Sequence, residues 1–356
     1  RTQFALARSL QASGDAAGAR QAFLRARDLD TMPWRPTSQT EQAIRDAAAA
    51  QGAVLCDVAA RFRDLSPEGA TGWELLDDHV HPSLHGQAEV ARAIVQCMSG
   101  LPKELAVDAA AVSALPGWKD YADRLRANEW DAYRVNHTLR TLFGIPFMKR
   151  SNAAAFERFD GACRTFEATM SPGVRTAASE WQSSIPHAGG LRPITGMVAR
   201  ALLREDKVGA ARALYEIAQL QVPAYTSWRL EYIYFTLACR EKERGSLTEQ
   251  DRAEAAAAIA EGNFLLGSGF SESGLTERYV GRLHQLRGEW AEAIPPLLAA
   301  RPRMRAEDLV ACDQALFMSY VRTGNAAAAR ALAEEGMRSS GRFASVYRQL
   351  RSQLGP

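Results

Sequence analysis

Residues 76–86 read Leu76-Asp77-Asp78-His79-Val80-His81-Pro82-Ser83-Leu84-His85-Gly86, and they decide the fold that we expect for the first third of the chain. Pro82 and Gly86 mark the stretch as a loop, and a helical run follows at 87–95. Within the loop, Asp78 and His81 stand three residues apart. A carboxylate that accepts the Nδ1 proton of an imidazole fixes the ring's tautomer and leaves Nε2 free as a general base. The pair is therefore a candidate for two members of a catalytic triad, although Asp and His also meet by chance in many loops.

The sequence before the loop extends this prediction. An apolar run, Gly52-Ala53-Val54-Leu55-Cys56-Asp57-Val58, reads as a strand, and Trp73-Glu74-Leu75-Leu76 leads into the loop. Together with Asp78-x-x-His81-Pro82 and the glycine that follows, these segments resemble the final conserved block of the SGNH (GDSL-type) hydrolases, a family of esterases and lipases. The resemblance implies the end-piece of a flavodoxin-like, three-layer α/β domain, with 53–58 as its last strand. It also implies that Asp78 orients His81 and that His81 is the general base.

The remaining parts of such an active site have no counterpart before Asp78. The family takes its nucleophile from a Gly-Asp-Ser-like block and its oxyanion hole from a later Gly and a G-x-N block. The chain also begins at Arg1-Thr2-Gln3-Phe4, without Met and inside a helical pattern. We therefore expect the C-terminal portion of a longer serine esterase, with the serine upstream and with a carboxylic ester of a small molecule or glycan, such as an O-acetyl group, as substrate. Because acyl transfer needs nucleophile, base and oxyanion donors together, we predict that residues 1–356 alone are inactive.

Composition excludes several other classes of protein. The 356 residues suffice for two or three domains, and 43 Lys and Arg against 41 Asp and Glu leave a net charge of +2, which gives no case for a nucleic-acid partner. The five cysteines are widely scattered, so we expect small core residues and neither a metal site nor a cofactor. No apolar run is long enough to span a membrane, and the compartment stays open, because a signal or anchor could only lie upstream.

Two regions of the chain resemble tetratricopeptide repeats, in which small and large apolar residues alternate on either side of a turn glycine. In residues 1–30 the pattern comprises Phe4-Ala5-Leu6-Ala7, Leu10, Gly14-Asp15, Ala19, Phe23, Ala26 and Leu29-Asp30. In the last part of the chain the clearest examples run from Leu283 through Gly288 to Ala300 and from Leu316 through Gly324 to Ala333. We therefore predict a short, irregular all-α solenoid there, and a mostly helical protein overall.

These patterns divide the chain into four parts. Residues 1–30 are a tetratricopeptide-like hairpin, 31–100 the hydrolase part, 101–190 a helical connector and 191–356 tetratricopeptide-like repeats. In the second part, Ser38-x-x-Glu41 is a capping box that starts a helix running to Ala50. The concave face of a solenoid can bind a protein partner or pack on a neighbouring domain. The alternative function is accordingly a non-catalytic repeat scaffold for protein–protein interaction.

Other polar and aromatic residues are weaker candidates for a site. Trp34, Arg35 and Trp73 could line an acyl or sugar pocket, but a Trp beside such loops is more often a packing residue. His79 and His85 lie near His81, yet their spacing lacks the pattern of a metal site. Three further histidines stand singly in the sequence and read as surface or core residues: His137, His187 and His284.

Overall fold

The computed structural model describes residues 2–31, 35–78, 80–183, 192–339 and 341–355, and the chain divides into two compact units, residues 1–163 and 164–356. The α-helices that begin in the first unit are α1 (Thr2–Ala12), α2 (Ala16–Asp28), α3 (Ser38–Ala50), α4 (Val58–Leu65), α5 (Leu84–Met98), α6 (Ala109–Ser113), α7 (Trp118–Arg124), α8 (Glu129–Gly144), α9 (Pro146–Ser151) and α10 (Ala153–Ala168). The second unit contains α11 (Pro172–Ser183), α12 (Ile194–Arg204), α13 (Val208–Gln221), α14 (Ser227–Arg244), α15 (Glu249–Gly267), α16 (Leu275–Leu286), α17 (Trp290–Ala300), α18 (Ala306–Arg322), α19 (Ala326–Ser339) and α20 (Ala344–Ser352).

The described residues contain no β-strand and no sheet, so the predicted flavodoxin-like α/β domain is wrong. Residues 53–57, predicted as most of a strand, have no regular structure, and the side chains of Val54 and Leu55 are exposed. A strand needs a neighbour for its backbone N–H and C=O groups, and no described segment pairs with this one. The chain instead turns at Asp57, whose carboxylate accepts a hydrogen bond from the Ala60 amide at 2.8 Å and so caps α4.

The first two helices of the chain pack closely because the residues between them are small. Ala7 of α1 and Ala19 of α2 are fully buried. Gly14 adopts a φ of +83°, which a residue with a side chain rarely adopts, and Asp15 caps α2 by accepting a hydrogen bond from the Gly18 amide at 2.9 Å. Residues 2–28 are thus a helical hairpin.

In the second unit, successive helices pack against one another from α11 to α20, and α14 also packs on α16. Glycines with positive φ follow several of these helices, and they include the predicted turn glycines Gly288 after α16 and Gly324 after α18. Close packing also requires Gly196 in α12, because a Cβ there would lie 2.5 Å from the ring of Tyr232. None of the described helices has the length and apolar character needed to cross a membrane.

A buried ion cluster links helices of the second unit. Glu231 of α14 is 1% exposed, and its two carboxylate oxygens accept hydrogen bonds from Arg192 at 3.1 and 2.8 Å. Arg200 of α12 donates a third at 2.6 Å. Burial alone would raise the pKa of Glu231, but the two guanidiniums outweigh it and hold that pKa below its ordinary value. Glu231 is therefore a buried carboxylate held ionised by two arginines.

Candidate functional site

A tight turn in the first unit brings Asp78 and His81 together. An isolated antiparallel bridge pairs Leu76 with Pro82, and the Asp77 amide donates a hydrogen bond to the His81 carbonyl oxygen at 2.8 Å. Asp78 Oδ1 accepts hydrogen bonds from the backbone N–H groups of Val80 and His81, each at 2.8 Å. Asp78 thus stabilises the turn on which His81 stands.

The other carboxylate oxygen of Asp78 contacts the imidazole. Asp78 Oδ2 lies 2.7 Å from His81 Nδ1. Asp78 is 8% exposed, whereas 75% of the His81 side chain is exposed. With Nδ1 engaged by the carboxylate and most of the ring in solvent, we infer that Nε2 is open to a reacting partner. A general base and its orienting acid require a contact of this kind.

Electrostatics favour an ionised Asp78. Burial on its own would raise the pKa of this carboxyl, but the hydrogen bonds from the backbone of His81 and Val80 and from the His81 ring outweigh it, so the pKa lies below the ordinary value. An ionised carboxylate accepts the Nδ1 proton and stabilises the imidazolium that forms when Nε2 takes up a proton. Asp78 is therefore in the charge state that the proposed role requires.

Asp77 is a neighbour whose influence the sequence analysis missed. It is partly buried, and burial, followed by repulsion from Asp78, raises the pKa of its carboxyl. The sequence signal was available, because two adjacent carboxylates on one turn disfavour each other's ionisation. Asp77 and Asp78 consequently have pKa values displaced in opposite directions.

The turn is anchored on one side by the start of α5. Ser83 caps this helix by accepting a hydrogen bond from the Gly86 amide at 3.2 Å. A Cβ at Gly86 would collide with the Leu75 carbonyl oxygen, so only glycine lets the helix approach the loop this closely. Leu75 and Leu76 are buried against Phe62 of α4. The glycine of the sequence pattern therefore positions the turn.

The aromatic and arginine residues considered for a substrate pocket have different surroundings in the structure. The Trp73 ring meets Phe159 edge to face at 5.3 Å and the Arg158 guanidinium at 5.4 Å, which supports the packing interpretation. Arg35 lies close enough to Asp78 for an attractive electrostatic interaction. Trp34 lies outside the described residues.

The remaining histidines have other partners. His85 Nδ1 lies 3.1 Å from the Glu74 carbonyl oxygen, and its ring stacks on Trp118 at 5.0 Å. His137 lies 6.0 Å from the Tyr133 ring, and His284 Nδ1 lies 2.7 Å from Glu289. In the ranges that the structure describes, which leave out His79 and His187, no group of three or more His, Cys, Asp or Glu residues is arranged to hold a metal ion.

Among the residues that the structure describes, no nucleophile hydrogen-bonds to this pair. In the described part of the chain, the His81 ring hydrogen-bonds to Asp78 and to no serine, threonine or cysteine. Ser-His-Asp chemistry needs a serine in addition to a paired acid and imidazole. Comparison with protein-family models, with curated proteins and with solved structures gives no match.

Proposed function

We propose that Asp78 and His81 are the orienting acid and the general base of a serine ester hydrolase similar to the SGNH family. The observation that carries the proposal is the 2.7 Å contact between buried Asp78 Oδ2 and Nδ1 of the exposed His81 ring. The serine would come from polypeptide outside residues 1–356. The substrate would be a carboxylic ester of a small molecule or a glycan, with an O-acetyl group as the example that the resemblance suggests.

The geometry supports a two-step acyl transfer. His81 Nε2 would take the proton of the serine hydroxyl as the oxygen attacks the ester carbonyl, while ionised Asp78 stabilises the imidazolium. The imidazolium would then give this proton to the departing alkoxide, which leaves as the alcohol. In the second step His81 would deprotonate a water that attacks the acyl-serine, and the acid leaves as the serine regains its proton. Oxyanion donors would also have to come from outside the turn.

The experiment that tests this proposal uses a fluorophosphonate probe, which labels an activated serine. We expect the complete gene product that contains these residues to be labelled and to hydrolyse p-nitrophenyl acetate, and we expect residues 1–356 alone to do neither. His81→Ala should abolish both signals in the complete product. His85→Ala is the matched control, because His85 lies in the first turn of α5 beside the loop and its described contacts are with the Glu74 carbonyl and Trp118. Full labelling of His81→Ala would refute the proposal.

A second candidate function is supported by a groove in the second unit. This groove has a volume of about 260 Å³, and its lining includes Tyr234, Phe235, Arg278, Arg282, Gln314 and Met318. That volume is below the roughly 300–1,000 Å³ of sites for drug-sized ligands, so one or two side chains of a longer peptide fit it better. Aromatic rings, arginines and a glutamine amide can together bind the side chains and backbone of such a peptide.

Charge favours an acidic peptide in this groove. Two guanidiniums line the groove, Arg278 and Arg282, and Arg278 donates a hydrogen bond to the Asp308 carboxylate at 2.8 Å. Arg282 donates to Gln285 at 2.6 Å and to the Tyr234 hydroxyl, so the described contacts leave its charge without a carboxylate. We propose that the unit binds acidic peptide segments if it acts as a scaffold.

This candidate is tested with random peptides displayed on phage. Peptides enriched on the chain should be acidic and should bind Arg282→Gln about tenfold more weakly, which is the effect of losing one charge-assisted contact. Arg338→Gln, an exposed arginine on α19, is the control and should bind as the unchanged chain does. Enrichment of neutral or basic peptides, or of none, would exclude the candidate.

A further inference from the structure

Two of the five cysteines differ from the rest in their surroundings. Cys163, Cys239 and Cys312 are buried, as expected for small core residues, whereas Cys56 and Cys97 are partly exposed. Cys56 lies in the irregular segment before α4, and Cys97 lies in the last turn of α5. Forty residues separate them in the sequence, so only the fold brings them together.

Cys97 lies against the backbone next to Cys56. Cys97 Sγ is 4.0 Å from the carbonyl oxygen of Leu55, the residue before Cys56. Interaction with the Cys56 thiol, ahead of burial, raises the pKa of the Cys97 thiol to about 11. A disulfide needs an S–S separation of roughly 2.05 Å, so it can form only between cysteines that the fold places side by side, as the approach of Cys97 Sγ to the Leu55 carbonyl indicates here.

We propose that Cys56 and Cys97 are a site of reversible disulfide formation, oxidised by exchange with a small-molecule disulfide such as glutathione disulfide. The site does not depend on the proposed hydrolase function. The bond would close a loop that contains Asp78 and His81, and it would join the segment before α4 to the end of α5. Since a cross-link restricts the unfolded chain, the oxidised protein should be the more heat-stable form.

The exchange proceeds in two balanced steps. The Cys56 thiolate attacks one sulfur of glutathione disulfide, which forms a mixed disulfide and releases one glutathione thiolate. Cys97 then loses its proton and its sulfur attacks the Cys56 sulfur, which releases the second glutathione. The two protein thiols are oxidised to one disulfide, one glutathione disulfide is reduced to two thiols, and the two protons go to the released thiolates. The raised pKa of the Cys97 thiol leaves little thiolate there to make the first attack, so we assign that attack to Cys56.

The test exposes the folded 356-residue chain to glutathione disulfide and then blocks the remaining thiols with iodoacetamide. Mass spectrometry should show the loss of two hydrogens, no retained glutathione, and a cross-link between the tryptic peptides 46–61 and 93–103. The three buried cysteines should stay unmodified while the chain is folded. Separate glutathione adducts on Cys56 and Cys97, or two thiols that remain reduced, would overturn the proposal.

A single substitution tests the order of the steps. In Cys97→Ser the resolving thiol is absent, so Cys56 should retain one glutathione that dithiothreitol removes. Cys163→Ser is a matched control for the loss of one cysteine, and it should form the Cys56–Cys97 cross-link as the unchanged chain does. A Cys97→Ser chain whose Cys56 does not react would contradict the inference, because the site requires an accessible Cys56.

Discussion

Replacing Glu231 by glutamine should destabilise the second unit by about 3 kcal/mol. The substitution keeps the shape of the side chain but leaves the guanidiniums of Arg192 and Arg200, now 2.6–3.1 Å from a neutral amide, without their carboxylate. Removing one partner of a buried ion pair typically costs about 3–5 kcal/mol. We expect the lower end of this range, because 27% of the Arg192 side chain and 37% of the Arg200 side chain are exposed and water relieves part of the uncompensated charge.

The assay is urea denaturation followed by far-UV circular dichroism. The matched control is Glu334→Gln, which changes an exposed carboxylate 3.7 Å from Arg351, and its free energy of unfolding should change by no more than about 0.5 kcal/mol. The difference between the unchanged chain and Glu231→Gln should also shrink with acid. Because the folded-state pKa of Glu231 lies below its ordinary value, its stabilisation is complete above that ordinary pKa and is lost as the pH falls through the folded-state pKa. A change under about 1 kcal/mol at neutral pH would refute the reasoning.

Three further predictions concern the first unit. Asp78→Asn should lower kcat of the complete gene product by about 10³–10⁴-fold, because the new amide N–H₂ donates to Nδ1 and so drives the His81 proton to Nε2. The circular dichroism should not change, because the amide oxygen can still accept the two backbone hydrogen bonds. A kcat within tenfold of the original would contradict this. Gly86→Ala should lower the free energy of unfolding by about 1–3 kcal/mol, because the new Cβ collides with the Leu75 carbonyl oxygen. Gly161→Ala is the control and should not lower it, because a Cβ there meets nothing within 4 Å. Equal urea midpoints for the two variants would contradict the prediction. Oxidation of Cys56 and Cys97 to a disulfide should raise the free energy of unfolding of the first unit by about 4 kcal/mol in the chain-entropy model, and so raise its Tm by roughly 10 °C. An unchanged Tm in calorimetry would count against a cross-link that constrains the unfolded chain.

The elements that the sequence predicted well are those fixed by neighbouring residues. The turn glycines Gly14, Gly288 and Gly324 lie at positive φ, where their spacing in the repeats placed the turns. The helix expected from Ser38 to Ala50 has these bounds, although its cap is Thr37, whose side chain accepts a hydrogen bond from the Thr40 amide at 3.3 Å. The contact between Asp78 and His81 also follows from local sequence, because a three-residue spacing within one turn suffices to join them.

The elements that depend on distant residues could not be predicted in this way. The apolar run at 53–58 is compatible with a strand, but only a neighbouring segment could make it one, and none of the described residues pairs with it. All five cysteines were expected in cores. That Cys56 and Cys97 lie near each other could not be predicted, because forty residues separate them in the sequence. The cluster around Glu231 likewise draws arginines from positions 192 and 200, and no periodicity links them.

The most direct test of the central claim is the position of the proton on His81. Long-range ¹H–¹⁵N NMR of the chain at a pH where His81 is neutral distinguishes the two imidazole tautomers. We expect the proton to reside on Nδ1, where Asp78 accepts it, and Nε2 to be unprotonated and able to act as a base. We also expect Asp78→Asn to reverse this assignment. A proton on Nε2 in the unchanged chain would contradict the assignment of His81 as a base held ready by Asp78.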